Sequence, residues 1–298
     1  MLPTDVVRFR DPFYNHSHVA RERLVPELPE VETVVRELRP RLVGRILVAT
    51  RISKHALRRP WSKGWARLLA GRRVEEVRRR GKWIVLALSG GLHLVFHLGM
   101  TGRLTVESSG KPAADHTHLV IDLDDGREQL RFRDVRRFGS ATLFPDAEAL
   151  GRFFEQAGLG PEPFDLDPAF WRDRLLRTYR CLKAVLLDQR VVAGVGNIYA
   201  DESLFEARLH PACQASGLTA AEADRLRRAV TKVLERAIEF RGSTIRDYVG
   251  GSGRRGSYQN EFRAYGRTGE PCRRCGTPIE RVRLAGRSTH YCPRCQRR

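Results

Sequence analysis

Pro26-Glu27-Leu28-Pro29-Glu30-Val31-Glu32 opens the first regular element of the chain. Pro29 suits a first helical turn, where a missing N–H costs nothing. Glu30 and Glu32 suit the positive end of the helix dipole. Val31, Val34, Val35 and Leu38 follow at i, i+3, i+4 and i+7, one apolar face of a helix. Gly44 is a stop signal.

Beyond that helix the pattern turns to strands. Arg45–Ile52 places Ile46, Val48 and Ile52 on one side. Trp83–Leu88 and Leu92–Leu98 are apolar runs joined at Ser89-Gly90-Gly91, and His118–Leu123 and Gln129–Phe132 flank Asp125-Gly126, two hairpin signals. Ser140–Phe144 is a further strand. Short strands with turn signals predict a sandwich or a barrel. Gly158-Leu159-Gly160-Pro161-Glu162-Pro163 then reads as a linker, and the period becomes helical near 168–178, 181–188 and from Asn197 to Ala207. Thr219 and Glu222 form a capping box for a helix carrying Leu226, Val230, Val233, Leu234 and Ile238 on one face. The expected units are 26–157, a linker over 158–167, a helical unit over 168–250 and a tail over 251–298.

The chain has 298 residues and 41% hydrophobic content, enough for two cores. No run approaches the roughly 18 apolar residues of a membrane span, and residues 1–24 lack the apolar segment of a secretory signal. Lys+Arg is 54 against Asp+Glu 35. From Arg241 to Arg298 there are 14 Arg, no Lys and 4 acids. A basic surplus concentrated in one region points to a polyanion, most often nucleic acid. Cys181 and Cys213 are isolated, and nothing suggests a disulfide framework, so a reducing cytoplasm is the expected compartment.

Cys272-x2-Cys275-x16-Cys292-x2-Cys295 has the spacing of a closed zinc site. Four thiolates leave no open position, so the expected role is structural: one Zn2+ holding a small β-hairpin whose own core is too slight. Gly194-Val195-Gly196-Asn197 is a glycine turn opening a helix, where backbone N–H groups can approach a phosphate; a tight helix–helix turn is the plainer reading. Arg80-Gly81-Lys82-Trp83 puts one of only six lysines at a strand end. His116 and His118 lie at i and i+2, but no further ligands accompany them as a metal site would require.

These segments resemble the formamidopyrimidine-DNA glycosylases, bacterial repair enzymes for oxidised purines. The resemblance runs over about residues 26–298, with PELPEVE, RGKW, His97-Leu98-Gly99-Met100-Thr101-Gly102, Asp134-Val135-Arg136-Arg137-Phe138-Gly139, the GVGN helix start and the cysteine tail in order. It implies an α+β multidomain fold: an N-terminal β-sandwich with flanking helices, then a C-terminal helix–two-turn–helix domain with a zinc β-hairpin. It also implies a monomer acting on damaged double-stranded DNA. By resemblance Pro26 is the nucleophile and Glu27 its acid/base, with Glu30 orienting nearby groups. Lys82 and Arg287 contact phosphate at the lesion and are assigned the β- and δ-elimination steps. The guanidinium fork suits phosphate, although a pKa above about 12 makes proton donation hard to derive. Met100, Arg136 and Phe138 are the counterparts of residues that fill the gap left by an extruded nucleotide, and apolar wedges with an arginine suit that task. His116, Asn197 and Lys183 match further DNA contacts. The family's basic contact four residues before Lys183 is Tyr179 here, with Arg177 or Arg180 as substitutes. Val249–Ser257 stands where the family carries a mobile loop over the flipped base.

The chain departs from the family in front of Pro26. A free α-amine has a pKa of about 7.7–8.0 and is partly neutral at pH 7, so it can attack carbon. Behind 25 residues the Pro26 nitrogen is a tertiary amide with no basic lone pair. Valine can be encoded by GTG, which bacteria also read as a start codon, so translation from position 25 followed by loss of Met would expose Pro26. Residues 1–25 are therefore expected to be a non-native extension, with proteolytic trimming second. Three other readings compete: an endonuclease VIII-like enzyme for oxidised pyrimidines, a non-catalytic lesion-binding protein if residues 1–25 remain, and an unrelated zinc-ribbon binder.

Overall fold

The computed structural model describes residues 25–55, 57–62, 64–243 and 256–298. The expected extension, apart from Val25, and most of the Val249–Ser257 loop lie outside them. Helix α1 (Leu28–Leu42) begins where PELPEVE indicates, and Glu30 Oε2 accepts the Glu27 N–H at 3.0 Å as a cap. Eight strands follow: β1 (Ile46–Ile52), β2 (Arg72–Arg80), β3 (Trp83–Leu88), β4 (His93–His97), β5 (Gly102–Ser108), β6 (Thr117–Leu123), β7 (Glu128–Asp134) and β8 (Ser140–Phe144). Short helix α2 (Trp65–Leu69) precedes β2, and α3 (Ala147–Gln156) follows β8.

The strand order is β5-β7-β6-β1-β2-β3-β4-β8, antiparallel throughout. β1 and β2 pair only at Ile46–Arg73 and Leu47–Arg72. That narrow seam lets the sheet fold into the two layers of a sandwich. Its core joins both layers to α1: the rings of Phe96 and Phe132 lie 5.6 Å apart, and Val31, Val34, Val35 and Leu38 pack into the same cluster. β3 and β4 read as continuous apolar runs because both faces are covered. Leu86, Leu94 and Phe96 face the sandwich, while Val85 and Val95 face Leu150 and Phe153 of α3.

β2 is invisible to a period-two reading. Its sequence Arg-Arg-Val-Glu-Glu-Val-Arg-Arg-Arg buries Val74 and Val77, three positions apart. A register irregularity between Val74 and Glu76 inserts the extra residue, so both valines point inward.

The second unit contains α4 (Pro168–Leu176), α5 (Leu182–Leu187), α6 (Asn197–Ala207) and α7 (Ala220–Glu239) around one core. Thr219 and Glu222 cap α7 as the sequence predicts. Leu28, from the first turn of α1, is buried in this helical core rather than in the sandwich. The segment Pro26–Leu28 thus crosses from one unit to the other. The last element is a hairpin of β9 (Glu280–Leu284) and β10 (Arg287–Tyr291), packed through Cys272, Ile279 and Cys292 against Phe205 of α6.

Candidate active site and zinc centre

The unit junction is built on two glycines. The Leu28 N–H donates to the Gly194 carbonyl at 3.1 Å, and a Cβ on Gly194, whose φ is +88°, would lie 2.6 Å from Leu28 Cδ1. A Cβ on Gly196 would lie 2.3 Å from Glu27 Cδ. Only this bare backbone lets the Glu27 carboxyl reach the start of α6. There it accepts N–H groups from Gly196 at 2.8 Å, Ile198 at 3.0 Å and Tyr199 at 3.4 Å. The geometry that Gly194-Val195-Gly196-Asn197 suggested for a phosphate is taken by a protein carboxyl 169 residues away in sequence.

Burial raises the Glu27 pKa from 4.5 to about 7, reinforced by Glu30 and opposed by Lys82 and the α6 N–H groups. Near neutrality the group can both hold and release a proton. Glu30 accepts from Tyr199 Oη at 2.6 Å and from Ser243 N and Oγ at 2.7 and 3.0 Å, and burial raises its pKa as well. These bonds connect α1, α6 and the segment that follows α7 at Ser243.

Lys82 stands in the turn between β2 and β3. Glu162, in the linker, holds that turn by accepting the Gly81 N–H at 2.6 Å and by pairing with Arg79 at 2.6 Å and Arg80 at 3.0 Å. Burial lowers the Lys82 pKa; Glu27 and Glu30 raise it, and Arg287 lowers it further. These influences bring Lys82, Glu27, Glu30 and Arg287 into one electrostatic neighbourhood. Arg287 is exposed beside the turn Ala285-Gly286, both at positive φ, that closes the β9–β10 hairpin. Pro26 is buried immediately before Glu27.

A second cluster is formed by the two loops of the sandwich rim. Arg136 Nη1 lies 3.0 Å from Met100 Sδ, and its guanidinium carbon lies 4.4 Å from the Phe138 ring centre. Phe138 is 42% exposed. Buried Asp134 ties the loops together: it accepts the Gly139 N–H at 2.7 Å and the Thr101 hydroxyl. The structure thus brings Met100, Arg136 and Phe138 into one projecting group. His116 is exposed at positive φ, and its carbonyl accepts the Asp134 N–H at 2.9 Å. His118 is buried between Ser53 Oγ and the Asp134 carbonyl, each 2.9 Å from a ring nitrogen.

Lys183 corrects the sequence reading. Its side chain is fully buried and its Nζ donates to Asp201 Oδ1 at 2.6 Å and to the Asn197 carbonyl at 2.9 Å. A lysine so placed cannot meet DNA; it neutralises an internal acid. Asn197 is half-buried, with its Nδ2 donating to the Ser288 carbonyl at 3.1 Å. Tyr179 is 85% exposed, while Arg177 is held by Asp173 at 2.6 Å and Arg180 by Asp188 at 2.9 Å. Sequence reasoning missed Glu162, Tyr199 and Ser243, whose contacts span tens to hundreds of residues and leave no local pattern.

The sulfur atoms of Cys272, Cys275, Cys292 and Cys295 all lie within 4.8 Å of one another. Cys272–Cys295 and Cys275–Cys292 are 4.0 and 3.4 Å apart, bracketing the edge of about 3.8 Å expected for a tetrahedron with Zn–S of about 2.3 Å. Backbone N–H groups of Arg274 and Cys295 point at Cys272 and Cys292 sulfur at 3.4 Å, as suits thiolates. The residues fit one structural Zn2+, and among the described residues this is the one such ligand group.

Three family models match in order: the formamidopyrimidine-DNA glycosylase N-terminal domain over residues 25–141, its H2TH domain over 159–249, and the zinc finger found in FPG and IleRS over 269–298. The chain belongs to the formamidopyrimidine-DNA glycosylase family. It is accordingly a bifunctional DNA glycosylase and AP lyase. The formamidopyrimidine-DNA glycosylase of Heliobacterium modesticaldum is 48% identical over 280 residues, covering 92% of this chain and all of the relative. That of Desulforamulus reducens is 46% identical over 281 residues, covering 92% and 99%. Among solved structures, a Lactococcus lactis Fpg mutant bound to Fapy-dG DNA superposes with a TM-score of 0.85 at 35% identity, covering 92% of this chain and all of that one. MutM bound to DNA with carbocyclic 8-oxo-G gives 0.84 at 35% identity over the same shares.

Proposed function

We propose that this glycosylase removes oxidised purines, 8-oxoguanine and formamidopyrimidines, from double-stranded DNA through the secondary amine of Pro26. The amine attacks the sugar C1′, the base departs, and the sugar remains as an iminium. Glu27 protonates the ring oxygen as the ring opens. Lys82 and Arg287 hold the flanking phosphates through β- and δ-elimination. Met100, Arg136 and Phe138 fill the gap in the helix, with His116 and Asn197 on the backbone. The protein acts as a monomer in the bacterial cytoplasm. The observation that supports this reading is that Lys82 feels the charges of both Glu27 and Arg287, from two other elements, while Pro26 directly precedes Glu27.

The reading requires Pro26 to become the first residue, by initiation at position 25 or by trimming. The test is borohydride trapping on abasic duplex DNA, with one protein beginning at Pro26 and one at Met1. The first is expected to form a covalent adduct and the second none. No adduct from the Pro26-first protein would overturn the mechanism. The N-terminal mass from the native locus then decides which form exists in the cell: a chain starting at Met1 would leave a lesion-binding protein without catalysis. Preference for thymine glycol over 8-oxoguanine duplexes would replace the substrate with oxidised pyrimidines.

A further inference from the structure

Lys183, Asp201 and His290 lie on α5, α6 and β10 and form one buried polar chain. Lys183 Nζ bonds Asp201 Oδ1 at 2.6 Å; Asp201 Oδ2 accepts the His290 N–H at 2.9 Å and lies 3.0 Å from its Nδ1. The Lys183 and Asp201 side chains are entirely shielded, and that of His290 nearly so. A buried pair of this kind adds little stability over apolar groups of the same volume. What it supplies here is direction. Its bonds join the last residues of β10, just before Cys292, to the first two turns of α6, the same helix start that holds Glu27.

On α6 the zinc cluster packs against Phe205, near the C-terminal end, and leaves the N-terminal half of that helix to other groups. Cys292 and Cys295 follow β10, so the metal secures the base of the hairpin, whereas Arg287 opens β10 at the opposite end. The hairpin has two strands and β9 is largely exposed, so its angle to α6 depends on what β10 bonds: this polar chain at His290, and the Asn197 amide donating to the Ser288 carbonyl at 3.1 Å.

We infer that Lys183, Asp201 and His290 are positioning residues. They hold the hairpin against α6 so that Arg287 at its tip stands in register with Glu27 and Lys82 across the junction. The inference rests on the proposed role of Arg287 in δ-elimination. None of the three touches DNA, and their contribution is to the last step rather than to Schiff-base formation.

The test uses zinc-loaded protein beginning at Pro26 on abasic duplex DNA. Three quantities are read: zinc per chain, the rate of borohydride trapping, and the ratio of β,δ- to β-elimination product. Lys183→Met with Asp201→Leu removes the polar chain without stranding a buried charge. Zinc and trapping are expected to stay unchanged while the β,δ-to-β ratio falls about tenfold, as suits a displacement well under 1 Å. His290→Phe keeps ring shape and the backbone bond; its ratio is expected to fall about threefold, the loss of one hydrogen bond. An unchanged ratio in either zinc-loaded variant overturns the inference, and His290→Phe decides if the double variant loses zinc. Arg287→Ala is the control: an unchanged ratio there overturns the role of Arg287 itself.

Discussion

Replacing Glu27 by Gln tests whether the carboxyl at the α6 N-terminus titrates near neutrality. In the chain with Pro26 still in an amide, burial raises the Glu27 pKa from 4.5 to about 7. For a carboxyl raised on folding, the folded state suffers no penalty below the unfolded pKa. The penalty grows as pH rises through 4.5 and is complete above the folded value near 7. At pH 5 it is under about 1 kcal/mol, and at pH 8 about 3 kcal/mol. Glutamine cannot ionise and carries no such pH dependence. It brings instead a constant cost of about 1–3 kcal/mol, because its NH2 faces an α6 N–H that the carboxyl had accepted. The stability difference between parent and Glu27→Gln should therefore shift by about 2.5 kcal/mol in favour of the variant between pH 5 and pH 8. Urea denaturation of both proteins at the two pH values measures it. A difference that stays constant across that range would refute the raised pKa. In the Pro26-first protein a neighbouring ammonium favours the carboxylate, so the same shift should move to lower pH. There Glu27→Gln should also slow base release by about 10²–10⁴-fold.

Gly196→Ala drives a methyl into the Glu27 carboxyl and should cut base release by about 10²-fold through misplacement, read in single-turnover kinetics with zinc content unchanged. Cys292→Ser removes a buried zinc ligand and should abolish one-to-one zinc binding along with strand nicking, while the sandwich keeps its β signal in circular dichroism. Phe138→Ala shortens the exposed wedge beside Arg136; excision from paired duplex should fall by about tenfold or more, with trapping on a single-stranded abasic site little changed.

Several elements were legible because their signals are local. The α1 start, the α7 capping box and the β3–β4 pair fall where composition and period put them. β2 escaped because its irregularity replaces alternation with a spacing of three, and α3 lay in a segment read only as the end of the strand region. The four zinc ligands needed nothing beyond their spacing, since two CxxC knuckles already bring the sulfurs of each pair together. Met100, Arg136 and Phe138 were identified by motif, but their grouping depends on Asp134 joining two loops.

The sequence by itself determined the order of units and the zinc ligands and singled out the candidate reactive groups, because each is written in residues a few positions apart. Tertiary structure alone decided what those groups touch. Glu27 reaches the α6 N-terminus only because Gly196 has no Cβ. Lys183 turns inward because Asp201, on the next helix, supplies a counter-charge where water is absent. Leu28 sits in the helical core although its neighbours along α1 sit in the sandwich. Proximity between distant segments follows from the packing of whole faces, and no local pattern of residues encodes which distant partner each face will meet.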